Sequence, residues 1–163
     1  MKWSIRNAQP GDEGHILALI RDLALYEREP DQAKATTQDL ASALFSEHAS
    51  AECVLAEGEG DTVGFALFFT NFSTWTGRPG LYLEDLFVRE SARGLGIGKA
   101  LLLHLASIAS ARNYGRMEWS VLDWNQSAID FYESLGAKPM TGWTVYRLDQ
   151  AALLEIAVKS ENP

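Results

Sequence analysis

The sequence predicts a single α/β domain with a mixed β-sheet and helices on both faces. Segments typical of strands and segments with helical periodicity follow each other in the order β-α-α-β-β-β-α-β-α-β. The length of 163 residues suits one domain with one core. No repeat, linker or change of composition divides the chain. We therefore expect residues 1–163 to form one domain.

The first half of the chain predicts a strand, two helices and three further strands. Their ranges are 2–6, 15–27, 36–45, 52–57, 62–72 and 81–88. In the first helix apolar residues recur at i, i+3, i+4 and i+7, and Pro30 stops the pattern. Thr36 with Asp39 resembles a capping box at the start of the second helix. The turn at 58–61 predicts a hairpin between two of the strands.

The second half predicts a long buried helix, a strand, a helix, a final strand and an amphipathic C-terminal helix. Their ranges are 96–112, 117–122, 125–134, 143–148 and about 150–158. Strict alternation along the strand at 81–88 places its side chains in two sets. One set is Tyr82, Glu84, Leu86 and Val88, and the other is Leu83, Asp85 and Phe87.

Charge and composition restrict the partners and the compartment. The formal net charge of −8 disfavours nucleic acid and favours a small cationic ligand. No apolar run approaches the ~20 residues that span a bilayer, and the N-terminus lacks the apolar core of a signal peptide. Cys53 is the single cysteine, which agrees with a reducing compartment. We therefore expect a cytoplasmic protein that binds neither membrane nor nucleic acid.

The cysteine and the histidines, which are residue types that could act as nucleophiles or metal ligands, are dispersed along the chain. Cys53 has no nearby histidine with which to form a nucleophilic pair, and we expect it to be a buried apolar residue. The three histidines lack the spacing of metal ligands with any cysteine or carboxylate pair. The sequence therefore predicts no metal site.

A glycine-rich turn between a strand and a helix is the most informative local feature. It reads Arg93-Gly94-Leu95-Gly96-Ile97-Gly98-Lys99. Alternate glycines let backbone N–H groups approach an anion, and the helix N-terminus adds about half a positive charge. The spacing fits neither a Walker A loop nor a dinucleotide fingerprint. The pattern alone leaves two alternatives open, a pyrophosphate cradle or simply a tight turn against the sheet.

Two motifs together resemble the GNAT (Gcn5-related) N-acetyltransferase family. Arg93, Gly96 and Gly98 match its acetyl-CoA pattern Q/R-x-x-G-x-G/A. Downstream, 125–137 is similar to the family element N-x-x-A-x-x-F/Y-Y-x-x-x-G-F/A. Blocks at 22–27, 71–78, 81–86 and 121–125 further resemble the diamine (spermidine/spermine) and thialysine acetyltransferase branch. The resemblance implies a mostly antiparallel twisted sheet, acetyl-CoA as co-substrate, a small cationic amine as acceptor and a homodimer.

The resemblance also implies roles for individual residues. Tyr132 is expected to donate a proton to the departing CoA thiolate, and Glu84 to remove one from the amine. The amine site would be formed by Tyr26, Glu27, Glu84, Glu118, Trp119 and Ser120. Acetyl-CoA would contact a segment of about 86–99 through Leu86, Phe87, Val88, Arg93, Gly94, Leu95, Gly96, Ile97, Gly98 and Lys99, and also Asn125 and Ser127. Arg89, Arg93 and Lys99 would form a basic cluster near the phosphates.

Two departures from the branch bear on the acceptor. Ser73 and Thr141 stand where animal polyamine enzymes carry an aspartate and a glutamate. The loss of two carboxylates favours a shorter amine or a lysine analogue over a long polyamine. An amino acid, another amine or a protein lysine remains an alternative acceptor. A non-catalytic acyl-CoA sensor is the alternative from another functional class.

Overall fold

The computed structural model describes residues 2–160, and within them lie five strands and five α-helices. The strands are β1 (Trp3–Asn7), β2 (Glu52–Gly58), β3 (Asp61–Ser73), β4 (Arg78–Val88) and β5 (Met117–Trp119). The helices are α1 (Glu13–Tyr26), α2 (Thr37–Phe45), α3 (Ile97–Ala111), α4 (Gln126–Ser134) and α5 (Gln150–Ser160). Apart from one strand near the C-terminus, the order of elements is the predicted one.

The five strands form one mixed sheet in the spatial order β1-β2-β3-β4-β5. The first four strands are antiparallel neighbours, and β5 lies parallel to β4. Parallel neighbours need a long connection, and the crossover through α3 supplies it between β4 and β5. The predicted mixed and mostly antiparallel sheet is confirmed.

Helices cover both faces of this sheet. Phe65 and Phe87 belong to a core cluster with buried residues of α1 and α2. On α3, a side chain built at Gly98 would meet Val88 Cγ2 at 3.9 Å. Phe87 and Val88 are neighbours along a strand and point to opposite faces. Therefore α1 and α2 pack on one face, and α3 packs on the other.

The start of α2 shows how a local sequence signal is realised. Asp39 N–H donates to Thr36 Oγ1 at 3.2 Å, and Thr36 N–H donates to Asp39 Oδ2 at 2.8 Å. These two bonds satisfy donors that a helix start otherwise leaves without partners. The predicted capping box is confirmed.

The predicted strand at 143–148 is wrong. These residues have no regular secondary structure, and the exposed fractions of Val145 and Tyr146 are 81% and 93%. The alternating branched and aromatic residues of this segment have strand propensity, but a strand also requires a paired backbone neighbour. The predicted strand at 117–122 is also too long. The observed strand β5 ends at Trp119, where its pairing with β4 ends.

The described residues fall into two compact units that divide between Ser120 and Val121. The first unit holds the sheet with α1, α2 and α3. The second holds α4 and α5. That the whole chain acts as one catalytic domain stays a prediction.

Candidate active site

The glycine-rich turn links the end of β4 to α3. A short 3₁₀ helix (Glu90–Ala92) follows β4, and the backbone then passes through Gly94 at φ 76° and Gly96 at φ 78°. A Cβ built at either glycine meets no atom within 4 Å. The turn therefore presents open space beside its backbone.

The N-terminus of α3 lies at this turn, with Gly96 as its N-cap. The Ala100 N–H donates to Gly96 O at 3.0 Å. The N–H groups of Ile97, Gly98 and Lys99 come before this bond, and helix geometry leaves them without intrahelical acceptors. Together with the helix dipole they fit a pyrophosphate. The first of the two alternatives left open by the sequence, an anion cradle, is thus compatible with the geometry.

The two glycines nearest the helix start should respond differently to alanine. Gly96→Ala forces a Cβ into a left-handed conformation and should lower the free energy of unfolding by about 1 kcal/mol. Gly98→Ala meets only ordinary van der Waals contact and should not destabilise the protein. Urea unfolding of both variants compares them directly. Equal destabilisation would contradict a backbone requirement specific to Gly96.

The predicted basic cluster is only partly formed. Arg89 donates from Nε to Asp22 and from Nη1 to Asp61, each at 2.9 Å, so its charge is largely neutralised. The Arg93 guanidinium lies over the Tyr26 ring, with Cζ 4.6 Å from the ring centroid. Lys99 is exposed and takes part in no ion pair recorded for residues 2–160. Lys99 is therefore the cation of the three that is most available to an anion.

The outer edge of β4 is open beyond the paired segment. Leu81, Tyr82 and Leu83 pair with β5. Within residues 2–160 no strand pairs with this edge from Glu84 to Val88. Apart from Val88 O, which accepts from Arg93 Nε at 3.1 Å, this part of the sheet edge is open, and an amide-bearing chain such as pantetheine can add there in the manner of a strand.

Glu84 occupies a β-bulge. On β3, Leu67 pairs with Asp85 and the next residue, Phe68, pairs with Leu83, so Glu84 is skipped. A bulge leaves its extra residue without a partner and redirects the side chain, and bulges often lie beside active sites. Glu84 is exposed. Glu84, the predicted base, therefore lies outside the regular pairing of β4 with β3.

The bulge also makes the predicted two-set alternation wrong. Directly paired residues of neighbouring strands lie on the same face. Tyr82 pairs with Phe69, and Asp85 pairs with Leu67, so Tyr82 shares the α1 face with Asp85 and Phe87. By the same pairing, Leu81 and Leu83 share the α3 face with Leu86 and Val88. One inserted residue exchanges the faces of all residues before it.

Asp85 is a carboxylate that sequence reasoning did not assign to the site. It is half-buried, and burial raises its pKa to about 6, with smaller contributions from the charges of Glu84 and Glu27. Burial also raises the pKa of Glu27, which follows the last residue of α1. We call these three residues the acidic cluster. Asp85 could have been identified from the sequence, because it is a carboxylate among apolar residues on one side of a predicted strand.

The raised pKa of Asp85 predicts a pH dependence of stability. The pKa of this carboxyl is near its ordinary value of 3.8 in the unfolded chain and about 6 in the folded one. Between these values the folded state holds a proton that the unfolded state releases, so the free energy of unfolding falls as pH rises. Asp85→Asn should flatten this part of the profile. Unfolding in urea from pH 4 to 7 measures it, and an unchanged slope would contradict the prediction.

The predicted amine-site residues of β5 divide between the two faces. Glu118 pairs with Tyr82, and Ser120 Oγ lies 3.0 Å from Tyr82 Oη, so both belong to the α1 face. Trp119 pairs with Leu83 and lies on the α3 face. Glu118 also forms an ion pair with Arg116 at 2.8 Å. The structure therefore brings Glu118 and Ser120 to the face of the acidic cluster and separates Trp119 from them.

The second unit carries the remaining predicted residues on α4. Asn125 is its N-cap, and Asn125 Oδ1 accepts from Ala128 N–H at 3.3 Å and from Ser127 Oγ at 3.5 Å. Tyr132 is half-buried, and its ring centroid lies 5.3 Å from that of Phe131. Asn125 thus has a structural role at the start of α4.

Three other observations concern metal ligands, membrane-spanning helices and the single cysteine. Between residues 2 and 160 no group of three His, Cys, Asp or Glu side chains is arranged to hold a metal ion. None of the helices in this range is long and apolar enough to cross a membrane. Cys53 is 6% exposed, and burial raises the pKa of its thiol to about 12. Cys53 is therefore a core residue, as predicted.

Comparison with known proteins connects this geometry to a family. A sequence model of the acetyltransferase (GNAT) family matches residues 16–137. The chain is 39% identical to thialysine N-epsilon-acetyltransferase of Sus scrofa, over 95% of this chain and 97% of that protein. It is 36% identical to spermidine/spermine N(1)-acetyltransferase-like protein 1 of Homo sapiens, over 95% of this chain and 24% of that protein.

A solved structure agrees with the sequence relatives. An integron cassette protein from the mobile metagenome of V. cholerae superposes with a TM-score of 0.81 at 33% identity, over 96% of this chain and 98% of that one. The family match includes both the glycine-rich turn and the second motif on α4. The chain therefore belongs to the GNAT family and is an N-acetyltransferase, which confirms the resemblance of its two motifs.

Proposed function

We propose that this enzyme transfers the acetyl group of acetyl-CoA directly to a primary amine of a small cationic substrate, such as a diamine, a polyamine or a thialysine-like amine. The observation that carries the choice of acceptor is the acidic cluster at the end of α1 and the bulge of β4. Relatives named for thialysine and for spermidine/spermine support the same class of acceptor.

The acidic cluster is suited to an ammonium group. Glu27 and Asp85 are half-buried, and both have raised pKa values because burial disfavours their charged forms. A bound cation would favour the charged forms again and so would be attracted to the cluster. Glu118 and Tyr82, on the same face, extend the polar surface. The missing carboxylates at Ser73 and Thr141 favour an acceptor shorter than a long polyamine.

Glu84 and Tyr132 are proposed to move the two protons of the reaction. An alkylammonium has a pKa of about 10.4, so it must lose a proton before its nitrogen can attack. Glu84, exposed at the bulge, takes this proton through water. The nitrogen–carbon bond forms, the carbon–sulfur bond breaks, and Tyr132 gives a proton to the leaving thiolate. The role of Glu84 is supported by its position in the bulge, and the role of Tyr132 by its position in the second motif.

Backbone groups of the first unit are proposed to hold the acetyl donor. The N–H groups from Gly94 to Lys99 and the Lys99 side chain suit the pyrophosphate. The open edge at Leu86, Phe87 and Val88 suits the pantetheine arm, and its N–H groups would polarise the thioester carbonyl. Acetyl-CoA itself supplies the activated acetyl group. Asn125 and Ser127 are proposed as further contacts of the arm.

The inertness of the single cysteine supports direct transfer. A thiolate is the reactive form of cysteine, and the buried Cys53 thiol is disfavoured from ionising. The chain has no second cysteine to carry the acetyl group. Attack by the amine within a ternary complex therefore requires no covalent enzyme intermediate.

The proposed setting is a homodimer in the cytoplasm that binds neither nucleic acid nor membrane. The net charge of −8 opposes binding to polyphosphate. Exposed apolar residues between 143 and 148, among them Val145 and Tyr146, would suit an interface between two copies. Sedimentation at micromolar concentration should give a dimer, and a monomer would contradict this part of the proposal.

An acetyl-CoA turnover screen tests the proposed function. Diamines, polyamines, lysine, thialysine and peptide lysines are each supplied with acetyl-CoA, and release of free CoA thiol is followed. We expect release with small amines that carry a second positive charge. Bound CoA without release for any amine would instead support a sensor.

A further inference from the structure

Arg93 has contacts that the acetyl-CoA motif alone does not explain. Its Nε donates to Val88 O at 3.1 Å. Its Cζ lies 4.6 Å from the Tyr26 ring centroid and 5.8 Å from that of Phe87, and these two rings are 6.3 Å apart. The backbone N–H of Arg93 donates to Glu90 O at 3.1 Å. Both the side chain and the backbone of Arg93 thus bind the protein itself.

These contacts join the glycine-rich turn to the end of α1. Tyr26 is the last residue of α1, and Glu27 of the acidic cluster follows it. At this end the Glu27 N–H donates to Leu23 O at 2.8 Å, and the Glu29 N–H donates to Ala24 O at 2.9 Å. The Arg93 guanidinium over the Tyr26 ring therefore contacts the residue that directly precedes Glu27.

We propose that Arg93 is a positioning residue for the amine site, and that it holds Tyr26 and Glu27 in place instead of binding the phosphates. This inference rests on the proposed function, which assigns Glu27, the residue after Tyr26, to the acceptor site. A guanidinium is required because its plane stacks on a ring while its Nε donates sideways. A lysine ammonium has the charge but lacks this geometry. Anion binding at the turn then depends on the backbone from Gly94 to Lys99 and on Lys99.

Arg93→Lys separates the two roles because it keeps the charge at the turn. We expect the KM for the amine to rise about fivefold or more, and the Kd for acetyl-CoA to stay within about twofold. Amide hydrogen exchange at residues 26–29 should become faster, which reports loosening of the α1 end without involving substrate. Arg112→Lys is the matched control, because Arg112 is also an arginine over a tyrosine ring but lies outside the site. Its Cζ is 5.9 Å from the Tyr114 ring centroid. Arg112→Lys should leave all three measurements unchanged.

A second substitution tests whether the two residues act together. Tyr26→Leu removes the ring, so Arg93→Lys should add little to the amine KM of the Tyr26→Leu variant. Lys99→Gln should instead weaken acetyl-CoA binding and leave exchange at 26–29 unchanged. If Arg93→Lys weakens acetyl-CoA binding about tenfold with unchanged exchange, Arg93 is a phosphate ligand and the inference is wrong. Faster exchange with an unchanged amine KM would keep the anchoring role and contradict the proposed amine site.

Discussion

Tyr132→Phe should lower kcat by about 10²- to 10³-fold and leave the Kd for acetyl-CoA within about twofold. The substitution removes only the phenolic hydroxyl, so the ring contact with Phe131 at 5.3 Å is kept. Without this donor, the thiolate must leave unprotonated or take a proton from water. Steady-state turnover gives kcat, and equilibrium titration gives the acetyl-CoA affinity.

A matched control is available in the same unit. Tyr146 has 93% of its surface exposed, and Tyr146→Phe removes a hydroxyl without touching the second motif. Phenylalanine keeps the apolar ring at the proposed interface between two copies, so Tyr146→Phe should leave kcat unchanged. If both variants keep the activity of the original protein, Tyr132 is not the proton donor.

Glu84→Gln should lower kcat/KM at neutral pH by about 10²-fold and move the rise of turnover to higher pH. Glutamine keeps the size and polarity at the bulge but cannot accept a proton. The amine must then lose its proton unaided, which occurs near its own pKa of about 10.4. The profile of kcat/KM against pH for both proteins gives the measurement.

Glu47→Gln serves as the control for lost charge. Glu47 is an exposed residue in the turn after α2, and its substitution should change neither activity nor pH profile. A lower rate for Glu84→Gln with an unshifted profile would show that Glu84 binds substrate and does not remove the proton.

Most of the fold could be predicted because its signals are local. Helical periodicity located α1 and α3, the Thr36 capping box located the start of α2, and the turn at 58–61 located a hairpin. The segment 143–148 shows the limit of such signals. Its strand propensity is clear from the sequence, but pairing depends on a neighbour that a one-dimensional pattern does not specify.

The candidate site was predictable where a motif names a residue and less so where packing decides. The turn that the glycine pattern predicts is present, and Gly94 and Gly96 in it have a left-handed backbone. The bulge at Glu84 follows from a register shift between β3 and β4, which strict alternation does not foresee. Arg89 looked like a phosphate ligand because its partners, Asp22 and Asp61, are distant in sequence.

The acidic cluster is proposed to select a cationic acceptor, and one matched pair of substrates tests this selection most directly. Diaminobutane and butylamine have the same reactive amine and the same chain length, and only the first carries a second ammonium. Comparison of kcat/KM at neutral pH should favour the diamine by about tenfold or more, as expected for a charge bound by carboxylates. Asp85→Asn should reduce this ratio. Equal kcat/KM for the two amines would contradict the account.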